Sequence, residues 1–223
     1  KGAPLSSTPV AVMTACRAAG GAAVLVAPDG EGNAFTITNE GTIQGRGNAA
    51  AGAATAGDGL RFERTRVGGA LDGSTTGLFT GTITNSGTIA SESAQGTAAG
   101  IRFVNGVSFQ GTLTNEESGV ISGVQNGLYF GNPVPAGGAD HTGGVVNNAG
   151  TISSDSRALN IDGIGLTVNN LATGEIIGTG NQRNGTVYAD STAQDFAFTN
   201  AGLVDAGEGN QGSGFGAEIA PEG

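Results

Sequence analysis

Tryptophan is absent from this chain of 223 residues, and cysteine, histidine and lysine occur once each, as Cys16, His141 and Lys1. One cysteine excludes an internal disulfide, so packing and hydrogen bonding must hold the fold. Cys16 reads as a small buried side chain, with an intermolecular bridge as the alternative. Cations are scarce: 9 Lys and Arg stand against 19 Asp and Glu, a net charge of −10. That argues against nucleic acid as a partner, because phosphate contacts need clustered Lys and Arg. The one basic knot, Arg61, Arg64 and Arg66 with Glu63 inside it, reads as a solvated strand edge. Long apolar runs are missing too. The longest, Ala22–Ala27, has six residues, against the ~20 that a helix needs to cross a bilayer, so the sequence predicts no membrane span. Arg17 and the glycines around it interrupt any signal-peptide core. Phosphate-loop and dinucleotide motifs are absent, so no cofactor is implied. Strings such as Gly207-Glu208-Gly209-Asn210 lack the regular aspartates of calcium-binding nonapeptide repeats, so no metal is implied. An acidic, lysine-poor surface promotes solubility and suits an extracellular setting.

What the chain does have is glycine, 43 residues of it, and a repeat. The motif T-[IL]-T-N-x-G-x-I, seen at Thr82-Ile83-Thr84-Asn85-Ser86-Gly87-Thr88-Ile89, recurs with its asparagine at Asn39, Asn85, Asn115, Asn148, Asn170 and Asn200. The intervals are 46, 30, 33, 22 and 30 residues. A period of a few tens of residues with variable loops is the signature of a solenoid, in which one repeat cannot bury its apolar face alone.

Two residues before each asparagine stand Ile37, Ile83, Leu113, Val146, Val168 and Phe198, all apolar and mostly flanked by small polar residues. This alternation predicts a strand with one face inward. Four residues after the asparagine, Ile43, Ile89, Ile152 and Val204 predict a second strand. In two copies the position moves two residues on, to Ile121 and Ile176, because the corner is longer. Glycines accompany this position at 41, 87, 119, 150, 174 and 202, and predict a corner with left-handed or otherwise open backbone. A third strand reads from Gly59-Leu60-Arg61-Phe62, Gly100-Ile101-Arg102-Phe103, Gly127-Leu128-Tyr129-Phe130, Ala158-Leu159-Asn160-Ile161, Gly185-Thr186-Val187-Tyr188 and Gly214-Phe215-Gly216-Ala217. Aligned this way, Leu60, Ile101, Leu128 and Leu159 form one internal column, and Phe62, Phe103, Phe130, Ile161 and Tyr188 form another. The expected fold is all-β: a right-handed parallel β-helix with three short strands per rung, six to seven rungs and ~4.8 Å between rungs. Its six asparagines would stack into an amide ladder.

Residues 1–32 do not fit the repeat and read as a cap or first irregular rung, with Val24-Leu25-Val26 a candidate strand. The repeats occupy 33–219, and 220–223 form a tail. No C-terminal cap is legible. That is consistent with a continuing chain, with end-to-end stacking, or with a plug made by Pro221 and its acidic neighbours. The longest insertions, Arg46–Asp58, Glu63–Thr76 and Asn132–Thr142, together with the exposed strand faces, read as the surface for any recognition.

Candidate chemistry is sparse. A lyase on such a scaffold would need a basic proton acceptor, for which Arg61, Arg102, Arg157 and Arg183 qualify, beside acidic calcium ligands. Arg61 and Arg102 fall at equivalent outward positions, with Tyr129, Asn160 and Val187 continuing the row and no carboxylate cluster aligned. A glycosidase would need two facing carboxylates. Asp155 with Asp162, or Asp190 with Asp195, are possible pairs, each better read as a turn cap. His141, beside Asp140 in a glycine-rich stretch, reads as a solvated loop tip.

The repeated I-T-N-x-G-T-I unit with GLRF-like strands between copies resembles the passenger domains of bacterial autotransporters and related outer-membrane β-helix adhesins, over residues 33–219. Proteins of that group carry an export signal and a C-terminal barrel translocator, and neither pattern is present in these residues. The resemblance implies a secreted or cell-surface protein without enzymatic activity, acting in adhesion, aggregation or surface coating. Its partners would be a host or bacterial surface receptor or glycan, or further copies stacked end to end into a filament or layer. A polysaccharide lyase or glycosidase is the least favoured expectation.

Overall fold

A computed structural model of the chain describes residues 10–19, 22–26, 34–46, 57–63, 66–67, 70–71, 77–93, 98–104, 106–131, 140–179, 185–207 and 217–219, with backbone alone described at 10–19, 66–67, 70–71 and 217–219. Among these residues no helix occurs, and so none is long and apolar enough to cross a membrane. The strands are short and pair almost entirely in parallel, as a coil stacking on itself requires; the exception is the antiparallel pair Arg66–Val67 and Ala70–Leu71.

The Thr-x-Thr-Asn strands form one stack. Thr82–Asn85, Thr112–Asn115, Val145–Asn148, Thr167–Asn170 and Ala197–Asn200 pair in sequence order without a register slip. Thr88–Ser91, Val120–Gly123, Thr151–Ser154, Glu175–Gly178 and Leu203–Asp205 form a second stack. The strand Thr36–Arg46 runs unbroken through both and joins them into one large sheet. The third stack comprises Val24–Val26, Leu60–Glu63, Ala99–Val104, Asn126–Phe130, Arg157–Ile161, Val187–Ala189 and Ala217–Ile219. The architecture is a parallel β-solenoid, its sheets enclosing a single core.

The core is built like over like. Ile37, Ile83, Leu113, Val146 and Val168 form one buried column, and Ile43, Ile89, Ile121, Ile152 and Ile176 a second. Phe198 and Val204 continue these columns but are only partly buried. Leu60, Ile101, Leu128 and Leu159 form a third, and Phe62, Phe103, Phe130 and Ile161 a fourth. Rings in the fourth stack face to face, 4.3 Å between Phe62 and Phe103 and 5.0 Å between Phe103 and Phe130. Phe79 and Phe109 enter from a short extra pair, Gly77–Phe79 with Val107–Phe109, which the repeat pattern does not announce. Burying such a side chain contributes about 1.5–3 kcal/mol each, and offset rings add to that.

Three sequence expectations are corrected. Tyr188 is not in the phenylalanine column: the strand is shifted by one residue, so that Val187 pairs with Leu159, Tyr188 with Asn160 and Ala189 with Ile161. Val187 and Ala189 are the buried pair and Tyr188 points outward, half-buried. The last copy shifts as well, because Ala217, not residue 215, pairs with Val187; residues 214–216 lie outside the described ones. Before the first repeat, residues 10–19 pair in parallel with Thr36–Arg46, and the candidate strand Val24–Val26 pairs with Leu60–Phe62. Finally, the corner glycines are not left-handed. Positive φ is found instead at Gly106, Gly143, Gly163, Gly165, Gly207 and Asp195. At the corners the reason is contact: a Cβ on Gly87, Gly150 or Gly202 would lie 2.1, 2.2 or 2.1 Å from the carbonyl oxygens of Gly41, Glu116 and Gly174. Rungs there approach too closely for any side chain.

Candidate functional site

The six asparagines lie at the turn between the first two stacks. Asn39 Nδ2 donates to Asn85 Oδ1 at 2.7 Å. The contact repeats at 2.8 Å from Asn85 to Asn115, Asn115 to Asn148, Asn148 to Asn170 and Asn170 to Asn200. The same nitrogens face corner carbonyls, as Asn115 does those of Gly119 and Thr151. Asn39 to Asn170 are buried and Asn200 is exposed. The ladder has a direction, and its two ends differ. Asn39 Oδ1 is buried without a donor, since the residue paired with Asn39 on the preceding strand is Met13. From Asn85 to Asn170 these amides are satisfied by one another and by corner carbonyls, and are scaffold.

The outward face of the third stack is chemically richer. Its register sets Leu25, Arg61, Arg102, Tyr129, Asn160 and Tyr188 in one row, one residue per strand. Asp58, on the approach to the Leu60–Glu63 strand, is fully buried and organises one end of this row. Its Oδ1 accepts from the Ala99 N–H at 2.9 Å, and its Oδ2 lies 3.4 Å from Arg61 Nη1 and 3.7 Å from Arg102 Nη1. Arg61 also reaches Glu63, 2.7 Å from Nη2 to Oε2. Both guanidiniums are therefore held by carboxylates that stand beside the row and not in it, which corrects the expectation of a solvated edge at Arg61. Arg64 lies outside the described residues. Burial pushes the Asp58 carboxyl up, with the charges of Arg102 and Arg61 and the Ala99 N–H acting against it. Burial likewise lowers Arg102.

Beyond the arginines the row turns aromatic. Arg102 lies 5.4 Å over the Tyr129 ring and Arg157 lies 4.1 Å over that of Tyr188, both at cation–π range. Tyr129 donates its hydroxyl to Asp162 at 3.2 Å; burial and that carboxylate push the phenol up to about 12, so it stays a donor at physiological pH. Asn160 sits between the two tyrosines, 6% exposed, with Oδ1 lacking a donor. The Nε atoms of Arg61 and Arg102 are also buried and unpartnered.

The other candidates resolve differently. His141 is fully buried, not a solvated tip: Phe109 N–H donates to its Nδ1 at 3.0 Å and the Phe130 ring packs edge-on at 5.4 Å. Burial lowers its pKa to about 4, outweighing the Asp140 carboxylate and the backbone of Asp162. It is a neutral core imidazole, closed to substrate. Asp190 accepts from the backbone and hydroxyl of Thr192 and closes a turn, while Asp195 is a left-handed turn residue. Asp155 lines a different surface, a groove of about 390 Å³ with Ser91, Glu92, Ser122 and Thr179. The groove's Ser91 and Ser154 hydroxyls donate to the carbonyls of Gly57 and Gln125, so they brace the backbone. Among the described residues no cluster of three His, Cys, Asp or Glu is arranged for a metal. Arg183 and most of the three long insertions lie outside the described residues, as does the side chain of Cys16, whose backbone pairs with Ile43. The sequence signal for the site was the outward Arg-Arg-Tyr-Asn series; nothing marked Asp58 as its buried counter-charge. No protein-family model, curated protein or solved structure matches this chain.

Proposed function

We propose that the protein is a right-handed parallel β-helix with three short strands per rung and six to seven rungs. In this reading it is of the kind formed by autotransporter passenger domains and outer-membrane β-helix adhesins. It acts at the bacterial surface or after release, in adhesion, aggregation or surface coating, and catalyses no reaction. The observation that carries this is the Arg61–Arg102–Tyr129–Asn160–Tyr188 row. Its polar and aromatic groups are fixed on a rigid sheet, with the guanidiniums engaged by Asp58 and Glu63. Such a face suits recognition, which gains from preorganised side chains. A proton-transfer centre would instead need an accessible base near neutral pKa, and the one imidazole is enclosed. The test is display of the chain on a non-adherent bacterium: a gain in cell attachment or in sedimentation is expected, and no gain in either overturns the reading.

A second reading, end-to-end assembly into a filament or layer, is favoured by one observation. The strands Ala197–Asn200 and Leu203–Asp205 carry no further partner on their outer edge among the described residues, and Leu203 is 47% exposed. An open parallel edge can add a strand heterologously. Electron micrographs of concentrated protein should then show rods of growing length; dispersed short particles rule it out.

A further inference from the structure

We propose that the outward row Arg61–Arg102–Tyr129–Asn160–Tyr188 binds an uncharged polysaccharide laid along the axis of the solenoid. This deepens the adhesive reading and rests on it.

Three features of the row select that ligand. The first is spacing. Successive members are one strand apart, ~4.8 Å, so the row is a straight track with Tyr129 and Tyr188 on alternate strands and Asn160 between them. An extended sugar chain presents ring faces and hydroxyls in just such a periodic series. The second is chemistry. The tyrosines are half-buried, with phenol bodies braced by Arg102 and Arg157, so they offer stiff aromatic surface at little entropy cost. The Nε atoms of Arg61 and Arg102 and the Oδ1 of Asn160 are buried, so what the row presents outward is the partly exposed guanidiniums beside the two phenol rings. A sugar answers such a surface, because it lays a flat C–H ring face on an aromatic ring and turns hydroxyls, each both donor and acceptor, toward its edges. The third is charge. Arg61 and Arg102 are matched by Asp58 and Glu63, so no excess positive charge waits for an anion. The whole chain, at −10, repels acidic polymers. Uronates, sulfated glycans and nucleic acids are thereby disfavoured, and neutral glycans are not.

The chain supplies its own probe. It has no tryptophan and only two tyrosines, both in this row, so intrinsic tyrosine emission reports on this face alone. The experiment titrates the full chain with neutral oligosaccharides (gluco-, manno- and xylo-hexaoses), with polygalacturonate and dextran sulfate as anionic counterparts. Affinity electrophoresis through the parent polymers runs in parallel. At least one neutral series should retard the protein and change tyrosine emission saturably. Tyr188→Ala should weaken that binding about tenfold, the loss of one aromatic anchor, whereas Tyr188→Phe retains most of it. Thr114→Ala, on another face, should leave it unchanged. The proposal is overturned if no neutral glycan binds, if only the anionic polymers do, or if binding leaves tyrosine emission untouched. The unmodified chain gives these answers, so they stand even if Tyr188→Ala misfolds. Attachment by displayed protein that ignores every neutral glycan sinks this proposal and leaves the adhesive reading standing. Glycan binding without attachment does the reverse.

Discussion

At Asn115 the carboxamide accepts from Asn85 and donates to Asn148, both at 2.8 Å, in a site closed to water. Removing it strands a buried acceptor and a buried donor on its neighbours, at ~1–3 kcal/mol. Asn200, exposed at the end of the ladder, accepts from Asn170 but has water as a substitute. Urea unfolding should therefore show Asn115→Ala costing about 1–3 kcal/mol and Asn200→Ala under ~1 kcal/mol. Equal losses would mean that the ladder contributes nothing beyond shape. His141 sets a pH dependence. Its folded pKa, about 4, lies below the unfolded ~6.5, so the unfolded chain takes up the proton first as pH falls. Stability contributed by the neutral imidazole is complete above ~6.5 and declines between there and about 4, by on the order of 2–3 kcal/mol. Asp58, with its raised pKa, works in the opposite sense at the acid end. Comparing the wild type with His141→Gln separates the two: the variant should lack the decline between pH 6.5 and 4. If its stability follows the wild-type pH curve, the assignment of a buried neutral histidine fails.

On the level of the strand, the decisive quantity is register. A slip of one residue exchanges the inward and outward sets, and that is the fate of Val187-Tyr188-Ala189 relative to a motif-based alignment. The sequence offered Gly185-Thr186-Val187-Tyr188 as a counterpart of Gly59-Leu60-Arg61-Phe62, because glycine opens both and an aromatic closes both. The structure instead places Val187 and Ala189 in the core and sets Tyr188 over Arg157. Stability distinguishes the two alignments. Phe103→Ala, which empties the centre of a stack of rings, should cost ~3–5 kcal/mol. Tyr188→Ala, which removes a half-buried outward ring, should cost no more than ~1.5 kcal/mol. Comparable thermal shifts for the two would restore Tyr188 to the core.

For the molecule as a whole, each stretch of coil is stabilised by the neighbours above and below it, so stability varies along the axis. Central strands are sealed: Leu113, Val146 and Ile152 are fully buried, with neighbours on both sides. Toward the far end Phe198 is only partly covered and Leu203 is largely exposed. Native-state hydrogen exchange should find the amides of Leu113 and Val146 opening near the global unfolding energy. Those of Phe198 and Leu203 should exchange far faster. Uniform protection along the chain would be evidence that the exposed end is covered in solution, as end-to-end assembly would require.

The primary sequence alone determined the repeat, the alternation that makes each segment a strand, the apolar columns from Ile37 to Phe198 and the spacing of the six asparagines. All of these are local and periodic, and the backbone has few ways to satisfy them together. Tertiary structure decided what depends on two distant segments meeting. It fixed the one-residue shift that turns Tyr188 outward, the close approach of rungs that admits only glycine at Gly87 and Gly150, the burial of His141 against Phe109, and the pairing of Asp58 with Arg102. Asp58 and Arg102 are 44 positions apart in the chain and share no motif. They meet only because adjacent strands of a parallel stack lie ~4.8 Å apart however long the loop between them.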